Sequence, residues 1–546
     1  MAQYCIGIDT GGTFTDAVLM DKATGKVVCR TKERTTHQDL GIGVGKALAG
    51  LFTGDVSSSD VDKIAVSTTL ATNAVVEGMG ARVGLFVIGY VKHFNLPVAA
   101  NIYLDGGHDV TGKEEQPLNL EELVDTVEKL RGEVDSYAVC ASMSIQNPAH
   151  ELVAEKAISL LERKPVFCSH KVSTHPGMRE RAATACLHAG LMPLMRQFID
   201  SVQKSMMDVG LDCPVVMISG NCQGIALKDA VERAAVTVAS GPASTAVFGA
   251  SVEGGDGLVV DVGGTTTDIC LIKAGKPMMS TQGCRIGPWQ THVEAVDMYT
   301  GAAGGDSHLL CSEKGVLSLG NMRVQPLCMT ENLPDPDQWF GIGLRESLII
   351  PTVAGKAFVG GKNEILDYLR ENGSATPLRL AEKTRWNGIT LEKQLERLHY
   401  QQYITMVGFT PTDVLHVLNK INIGDRTVSV KGAAILADAL NLDIENLCKR
   451  VVQLTEEKIE KIILEYLGRT IWGEEMVGSV LDTRDNELFN LSIGLKMPII
   501  GIGAAAAYFL PGVARRLSAE LRLPEHYEVG NGVGAALLAR GELAIK

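Results

Sequence analysis

One eight-residue pattern occurs twice in this chain. DTGGTFTD fills residues 9–16 and DVGGTTTD residues 261–268, identical at six of eight places. Each copy follows an apolar run, CIGI before Asp9 and GLVV before Asp261. Each leads into another, AVLM after Asp16 and ICLI after Asp268. Apolar run, glycine pair, apolar run reads as strand, tight turn, strand. A Gly-Gly turn exposes successive backbone N–H groups with no Cβ in the way, so an anionic phosphate can rest on them. One copy alone reads equally well as an ordinary hairpin, because Asp and Gly are common turn residues. Two matching copies behind apolar strands point to a polyphosphate held between two turns. No G-x-x-x-x-G-K-[ST] occurs, so this is not a P-loop.

The candidate phosphate contacts are Gly11, Gly12, Thr13 and Thr15 in the first copy and Gly263, Gly264, Thr265 and Thr266 in the second. Asp9 and Asp261 stand at strand ends and are the candidate catalytic residues. Carboxylates there can hold a hard cation such as Mg²⁺, often through water. Asp16 and Asp268 either share that task or brace the turn.

The remaining pattern is α/β. Three strands are expected over 4–33, with a polar turn at Lys22–Lys26, then a helix at 38–53 and a strand at 64–68. Strands at 81–88, 137–143 and 166–169 alternate with helices at 120–130 and 149–162, which implies some parallel pairing. A long helical stretch at 176–209, expected to break near Gly190, is read as the domain boundary. With 546 residues, more than one core is required. The expected division is 1–195 and 196–546, the second part carrying a mostly helical insertion over about 286–480. Within it, Thr410-Pro411-Thr412-Asp413 and Asp443 read as helix starts. A strand at 489–500, the turn GIGA at 501–504 and a last helix from about 531 close the chain.

Acidic residues outnumber basic ones 64 to 51, for a net charge of −13, which argues against a general nucleic-acid or anionic-membrane binder. Twelve scattered cysteines without C-x-x-C imply reduced thiols and a cytoplasmic setting. No signal peptide and no membrane span are expected. GIGAAA (501–506) after MPII fits the dinucleotide pattern G-x-G-x-x-A. No second βαβ unit follows it, so the preferred reading is a late glycine loop, within about 498–534, on which adenosine packs through Gly501 and Gly503. GIGVGK (41–46) lies inside a helical pattern and reads as a packing surface.

Paired phosphate turns with a late adenosine loop resemble the actin, hexokinase and Hsp70 ATPase superfamily. STTLATNAV (67–75), NPAHE (147–151), SHKVSTHPGMRERAATACLHAGL (169–191), ISGNCQG (218–224) and SGPASTAVFGA (240–250) are similar to segments of the hydantoinase A, 5-oxoprolinase and acetone carboxylase β-subunit family. The resemblance implies two actin-like (ribonuclease H-like) domains, ATP and Mg²⁺ as cofactors, a cyclic amide or carbonyl substrate and a second, B-type subunit. It implies phosphorylation of the carbonyl oxygen followed by attack on carbon. An ATP-driven conformational regulator or reductive activase, or a small-molecule kinase, stands as the alternative. Where the family usually shows D-x-H-T-I-G-A-G-G-G-S, this chain has Asp297 to Ser307 with Tyr299 in place of His and Asp306 in place of Gly.

Thr69 and Asn73, with Thr68, could reach substrate or could simply cap a helix. Asp297, Tyr299, Asp306 and His308 border the glycine loop TGAAGG (300–305). Asp306 and His308 alone are too few for a metal site. His175, His188 and His292 read as packing or surface residues, and Cys140 and Cys222 as buried small ones. EEKIEK (456–461) reads as a solvated helix face.

Overall fold

Two apolar runs joined by a glycine turn fold as expected into adjacent antiparallel strands, β1 (Tyr4–Thr10) and β2 (Phe14–Asp21), followed by β3 (Val27–Arg34). A computed structural model describes residues 3–541 except 13, 37–39, 53, 55, 77–79, 90–92, 173–175, 253, 255, 281–284, 287–288, 291–292, 313, 359–360, 484–486 and 489–490. Thr13, His175 and His292 therefore lie outside the described residues, as does the side chain of Asn73.

The chain divides into two units, 1–255 with 271–297 and 529–546, and 256–270 with 298–528. This differs from the expected division at 195/196. Met178–Asp208 is one unbroken helix despite Pro193, and eighteen of its residues are buried. Its Gly190 carbonyl accepts the Ala81 N–H (2.9 Å), which ties it to the strand that follows. Because residues 181–192 are buried without a break, and so on every side of the helix, it belongs to a core and cannot serve as a linker.

In the first unit β1 lies between β2 and the parallel strand β4 (Val61–Thr68). Beyond β4 come β9 (Val215–Ile218) and β10 (Gly224–Ala226). A second sheet, β6-β5-β7-β8, is all parallel: β5 (Val83–Ile88), β6 (Ala100–Leu104), β7 (Ser136–Ala141) and β8 (Val166–Cys168). The helix Gly530–Arg540 crosses β1 so closely that a Cβ on Gly7 would strike the backbone of Gly532 and Ala536. Gly534 approaches the Ser244 carbonyl in the same way. The expected packing role of GIGVGK holds: Gly43 faces Thr15 and Gly45 faces Ser205.

In the second unit β11 (Gly257–Val262) pairs in parallel with Ile499–Ile502, which pairs in turn with Leu521–Arg522. β12 (Thr267–Lys273) begins here and ends in the first unit, and it pairs antiparallel with Met298–Gly301. The expected insertion is helical only in part. Ser307–Cys311 and Leu317–Arg323 form a hairpin, and Ile404–Gly408 is the middle strand of a three-stranded sheet. Helices fill most of 353–482. Of the expected strand at 489–500, residues 489–490 lie outside the described ones, and among the described residues the strand is Ile499–Ile502. The run 456–461 is not a solvated face. Glu460 is buried against Arg516 (2.5 Å), and Lys458 donates to the carbonyls of Leu319 and Gly320. Among the described residues no helix is long and apolar enough to cross a membrane.

Candidate functional site

In the first unit the turn closes by Gly11 N–H to the Phe14 carbonyl (2.9 Å). In the second, Gly263 N–H bonds the Thr266 carbonyl (3.0 Å). The sequence repeat is thus a repeat of hydrogen bonding. Each closing N–H sits two residues past a strand-end aspartate.

Asp9 is 4% exposed. Ser67 Oγ donates to its Oδ1 (2.5 Å) and Asn531 Nδ2 to its Oδ2 (3.3 Å). Burial pushes the carboxyl up, and these two bonds together with Lys32 oppose the shift. Thr245 also bonds the Asn531 side chain. The helix Ser240–Ser251 starts beside this carboxylate: a Cβ on Gly241 would lie 3.7 Å from Asp9 Oδ1 and 3.6 Å from the Thr69 methyl. Its N-terminal N–H groups favour negative charge there. The small residues of SGPASTAVFGA are what permit the approach. Thr69 donates its backbone N–H to Thr10 O (3.0 Å), so it lies next to the first turn.

Asp16 faces Lys32 across the β2–β3 register, and Lys32 Nζ contacts both carboxylate oxygens (2.8 and 3.0 Å). It braces the sheet by an ion pair, not by accepting turn N–H groups. Burial lifts its carboxyl from 3.8 to about 6, with Lys32 pulling it back. A raised value favours the protonated form, so this contribution to stability is whole below 3.8 and is lost as pH rises through about 6, some 3 kcal/mol at order of magnitude. Lys32→Met removes the compensating charge. Urea melts should show a larger loss of stability at slightly alkaline pH than near pH about 5, where Asp16 can take a proton. An equal loss at both would refute the coupling. Thr15 is fully buried and shares a hydrogen bond with Thr35 (3.1 Å), whose hydroxyl bonds the Gly11 carbonyl (2.8 Å). The Thr15 hydroxyl braces the turn from inside and does not face a ligand, which corrects its expected role.

In the second unit Asp261 sits opposite Ile502 in the parallel register, and Gly503 packs on its carboxylate with φ +93°. Any side chain at Gly503 would collide with Asp261 Oδ1. The late glycine loop therefore packs directly on the strand that carries the second turn. Gly501 does not face it. Gly501 is buried in the strand, where a Cβ would meet Leu510, Leu521 and Leu523, so it is a packing residue and not a cofactor contact. The expected adenosine segment 498–534 is also divided, since residues from 529 onward belong to the first unit.

Gly264 lies half-buried at the second tip and Thr265 is exposed. Thr266 and Thr300 hydroxyls both bond Asp268 (3.3 and 2.6 Å), so Asp268 braces its turn. The glycine loop beyond β12 grips the turn from behind. Gly305 N–H donates to Gly263 O (3.1 Å) and Asp306 N–H to Gly264 O (2.6 Å). Asp306 Oδ1 accepts from Thr412 Oγ1 (3.1 Å), and Oδ2 pairs with Arg323 (3.3 Å). His308 is buried, donates Nε2 to Glu346 O (3.2 Å) and is held neutral at about 4 by burial. It is a packing residue.

Of the other expected substrate contacts, Tyr299 donates its hydroxyl to Glu465 (3.1 Å) and lies under Arg469. Asp297 falls in the first unit, where its N–H bonds Met278 O (2.8 Å). His188 stacks on Phe167 at 4.2 Å and accepts from Ala235 N–H, and burial holds it at about 3, a packing role as expected. Cys140 and Cys222 are fully buried, and burial pushes each thiol up to about 12. NPAHE and SHK meet in a buried network: Glu151 accepts from Ser169 Oγ and His170 Nδ1 (both 2.6 Å), and Arg181 donates to Ser144 and Ser169 (both 2.6 Å). Sequence reasoning missed Ser67, Asn531, Lys32 and Arg323. For Asn531 the signal was the Gly-Asn-Gly start of the last helix, and for Lys32 the antiparallel register.

The hydantoinase/oxoprolinase N-terminal region profile matches residues 5–161, and the hydantoinase/oxoprolinase profile matches residues 181–333. The chain is 29% identical over 362 residues to caprolactamase subunit alpha of Pseudomonas jessenii, covering 58% of this chain and 50% of that one. It is 28% identical over 349 residues to acetophenone carboxylase gamma subunit of Aromatoleum aromaticum, covering 55% and 47%. The chain thus spans about half the length of the curated relatives it matches. Among solved structures, acetone carboxylase in a nucleotide-free state aligns with TM-score 0.69 and 18% identity, over 98% of this chain and 70% of that one. The ATP-dependent caprolactamase from Pseudomonas jessenii aligns with TM-score 0.62 and 20% identity, over the same shares. The α/β fold is shared with both.

Proposed function

The chain belongs to the hydantoinase/oxoprolinase family, and from that premise we propose that it is an ATP-hydrolysing subunit that activates an amide or carbonyl carbon, with a cyclic amide (hydantoin, 5-oxoproline or another lactam) as substrate. The observation that carries the reading is the duplicated turn, closed by the same backbone bond in both units and flanked by Asp9 and Asp261. Gly11 and Gly12, and Gly263, Gly264 and Thr265, would carry phosphate oxygens on their N–H groups. Asp9 and Asp261 would hold Mg²⁺ through water, and their strand-end position suits that task. ATP supplies a phosphoryl group that turns an amide oxygen, a poor leaving group, into a good one. What the chain contributes is positioning and charge neutralisation, as in other phosphoryl transfers. The relatives named above are an ATP-dependent lactamase and ketone carboxylases, and two are named as subunits, which supports a partner chain here.

ADP release measured with 5-oxoproline, hydantoins, larger lactams and ketones, with and without a co-expressed B-type partner, tests this. A severalfold rise with one cyclic amide is expected. Release that ignores every compound in both arms sinks the reading and favours a conformational regulator. A stable phosphorylated product favours a kinase.

A further inference from the structure

The carboxylate of Asp306 lies against the tip of the second glycine turn. A Cβ built on Gly264 would be 2.7 Å from Asp306 Oδ2. The position is fixed by three backbone bonds: Asp306 N–H to Gly264 O (2.6 Å), Gly305 N–H to Gly263 O (3.1 Å) and Thr412 N–H to Gly305 O (2.7 Å). A negative charge held there opposes an anion on the same turn, by several kcal/mol at about 4 Å in partly buried surroundings. A turn that binds phosphate needs that charge answered. Arg323, at the end of Leu317–Arg323, meets the same oxygen at 3.3 Å. The side chain of Asp306 is 9% exposed and that of Arg323 is 34%, so the carboxylate is an internal anchor and the guanidinium reaches solvent. One ion pair engages a guanidinium only partly, since it has five N–H donors in a planar fork. The first unit repeats the device: Asp16 anchors Lys32 beside the first turn, with the Lys32 side chain 33% exposed and that of Asp16 11%.

We propose that Arg323 is a phosphate-binding residue of the second glycine turn and that Asp306 is its positioning residue. The proposal rests on the reading of these turns as an ATP site. Arg323, anchored at one edge, presents its remaining donors to a phosphate on the Gly263–Thr265 backbone, and the phosphate competes with Asp306 for it. Two residues that would each disturb a bare glycine turn act as a pair.

Nucleotide titrations by calorimetry on the full chain, using ATP, ADP and AMP, test this. Arg323→Ala should weaken ATP by about tenfold or more and leave AMP unchanged. Arg323→Lys should fall between, since it keeps the charge but loses the fork. Asp306→Asn keeps the shape and removes the competing charge, so ATP binding should hold or tighten. The aspartate variant would then not share the loss seen in the arginine variant, as it would if the pair were merely structural. Arg323→Gln serves if the alanine variant fails to fold. Two results would overturn the proposal alone: wild-type ATP affinity in folded Arg323→Ala, or an equal weakening of all three nucleotides by both the arginine and aspartate variants. A folded wild-type chain that binds no ATP overturns the reading of the turns as well.

Discussion

Asp261→Ala is expected to abolish ATP turnover while leaving the fold intact. The side chain stands at the end of β11, half-buried, with Gly503 against its carboxylate. Its removal opens no cavity in an apolar core, so the stability change should stay near 1 kcal/mol or below. In the proposed function this charge serves the reacting phosphates, and its loss should cost at least about a hundredfold in rate. Asp261→Asn separates charge from shape and should be nearly as damaging if the carboxylate itself is needed. Phosphate release at saturating ATP, alongside thermal melting by circular dichroism, measures both terms. Full turnover in a folded variant would remove Asp261 from the chemistry.

Gly7→Ala should be among the most destabilising single-methyl additions in the first unit. The added carbon would meet main-chain atoms of Gly532 and Ala536, and backbone cannot turn aside as a flexible side chain can. Overpacking of this kind costs about 1–3 kcal/mol and more where backbone must move. The helix that must move carries Asn531, the donor to Asp9. The variant should therefore lose stability and raise the Asp9 carboxyl further. Chemical denaturation measures the first effect, and an acid-shifted limb that moves toward higher pH in the activity profile measures the second. Gly54→Ala is the control, because a Cβ there meets nothing within 4 Å. Equal stability of the two variants would show that the helix does not bear on β1.

The duplicated turn was legible because its information is local. Strand, glycine pair and strand follow from apolar runs and the conformational freedom of glycine, and the closing bonds span three residues. Helix starts at Thr410 and Asp443 were legible for the same reason: a short acceptor reaches the next turn's N–H groups. Even there, local pattern stopped short. Asp413 completes the capping box at Thr410, but it also accepts from the N–H groups of Leu327 and Cys328 and from Ser429, and no spacing encodes those bonds.

What only the tertiary structure decided is which distant residues complete each turn. Asn531 reaches Asp9 across 522 residues of sequence because the last helix packs on β1 through Gly7 and Gly532, while Gly534 admits the Ser244 carbonyl on its other neighbour. Periodicity does not say which strand a helix will cover. For the same reason the last helix went to the first unit and the long helix Met178–Asp208 belonged to a core, which moved the boundary away from 195. Gly501 and Gly503 look alike in the sequence, yet one faces leucines and the other a carboxylate, because Gly501 lies within the strand Ile499–Ile502 while Gly503 lies just past its end, where a φ of +93° turns the chain onto Asp261. Asp306 announced itself only as a departure from a glycine-rich pattern. Its meaning came from the fold, which sets it on Gly264 and brings Arg323 to it. By itself the sequence determined the repeated turn, its two strand-end carboxylates and the α/β class, since each is written in contiguous residues. The groups that meet the carboxylates around the turns, Asn531 at Asp9 and Arg323 at Asp306, are set by packing between elements, and only the folded chain assigns them.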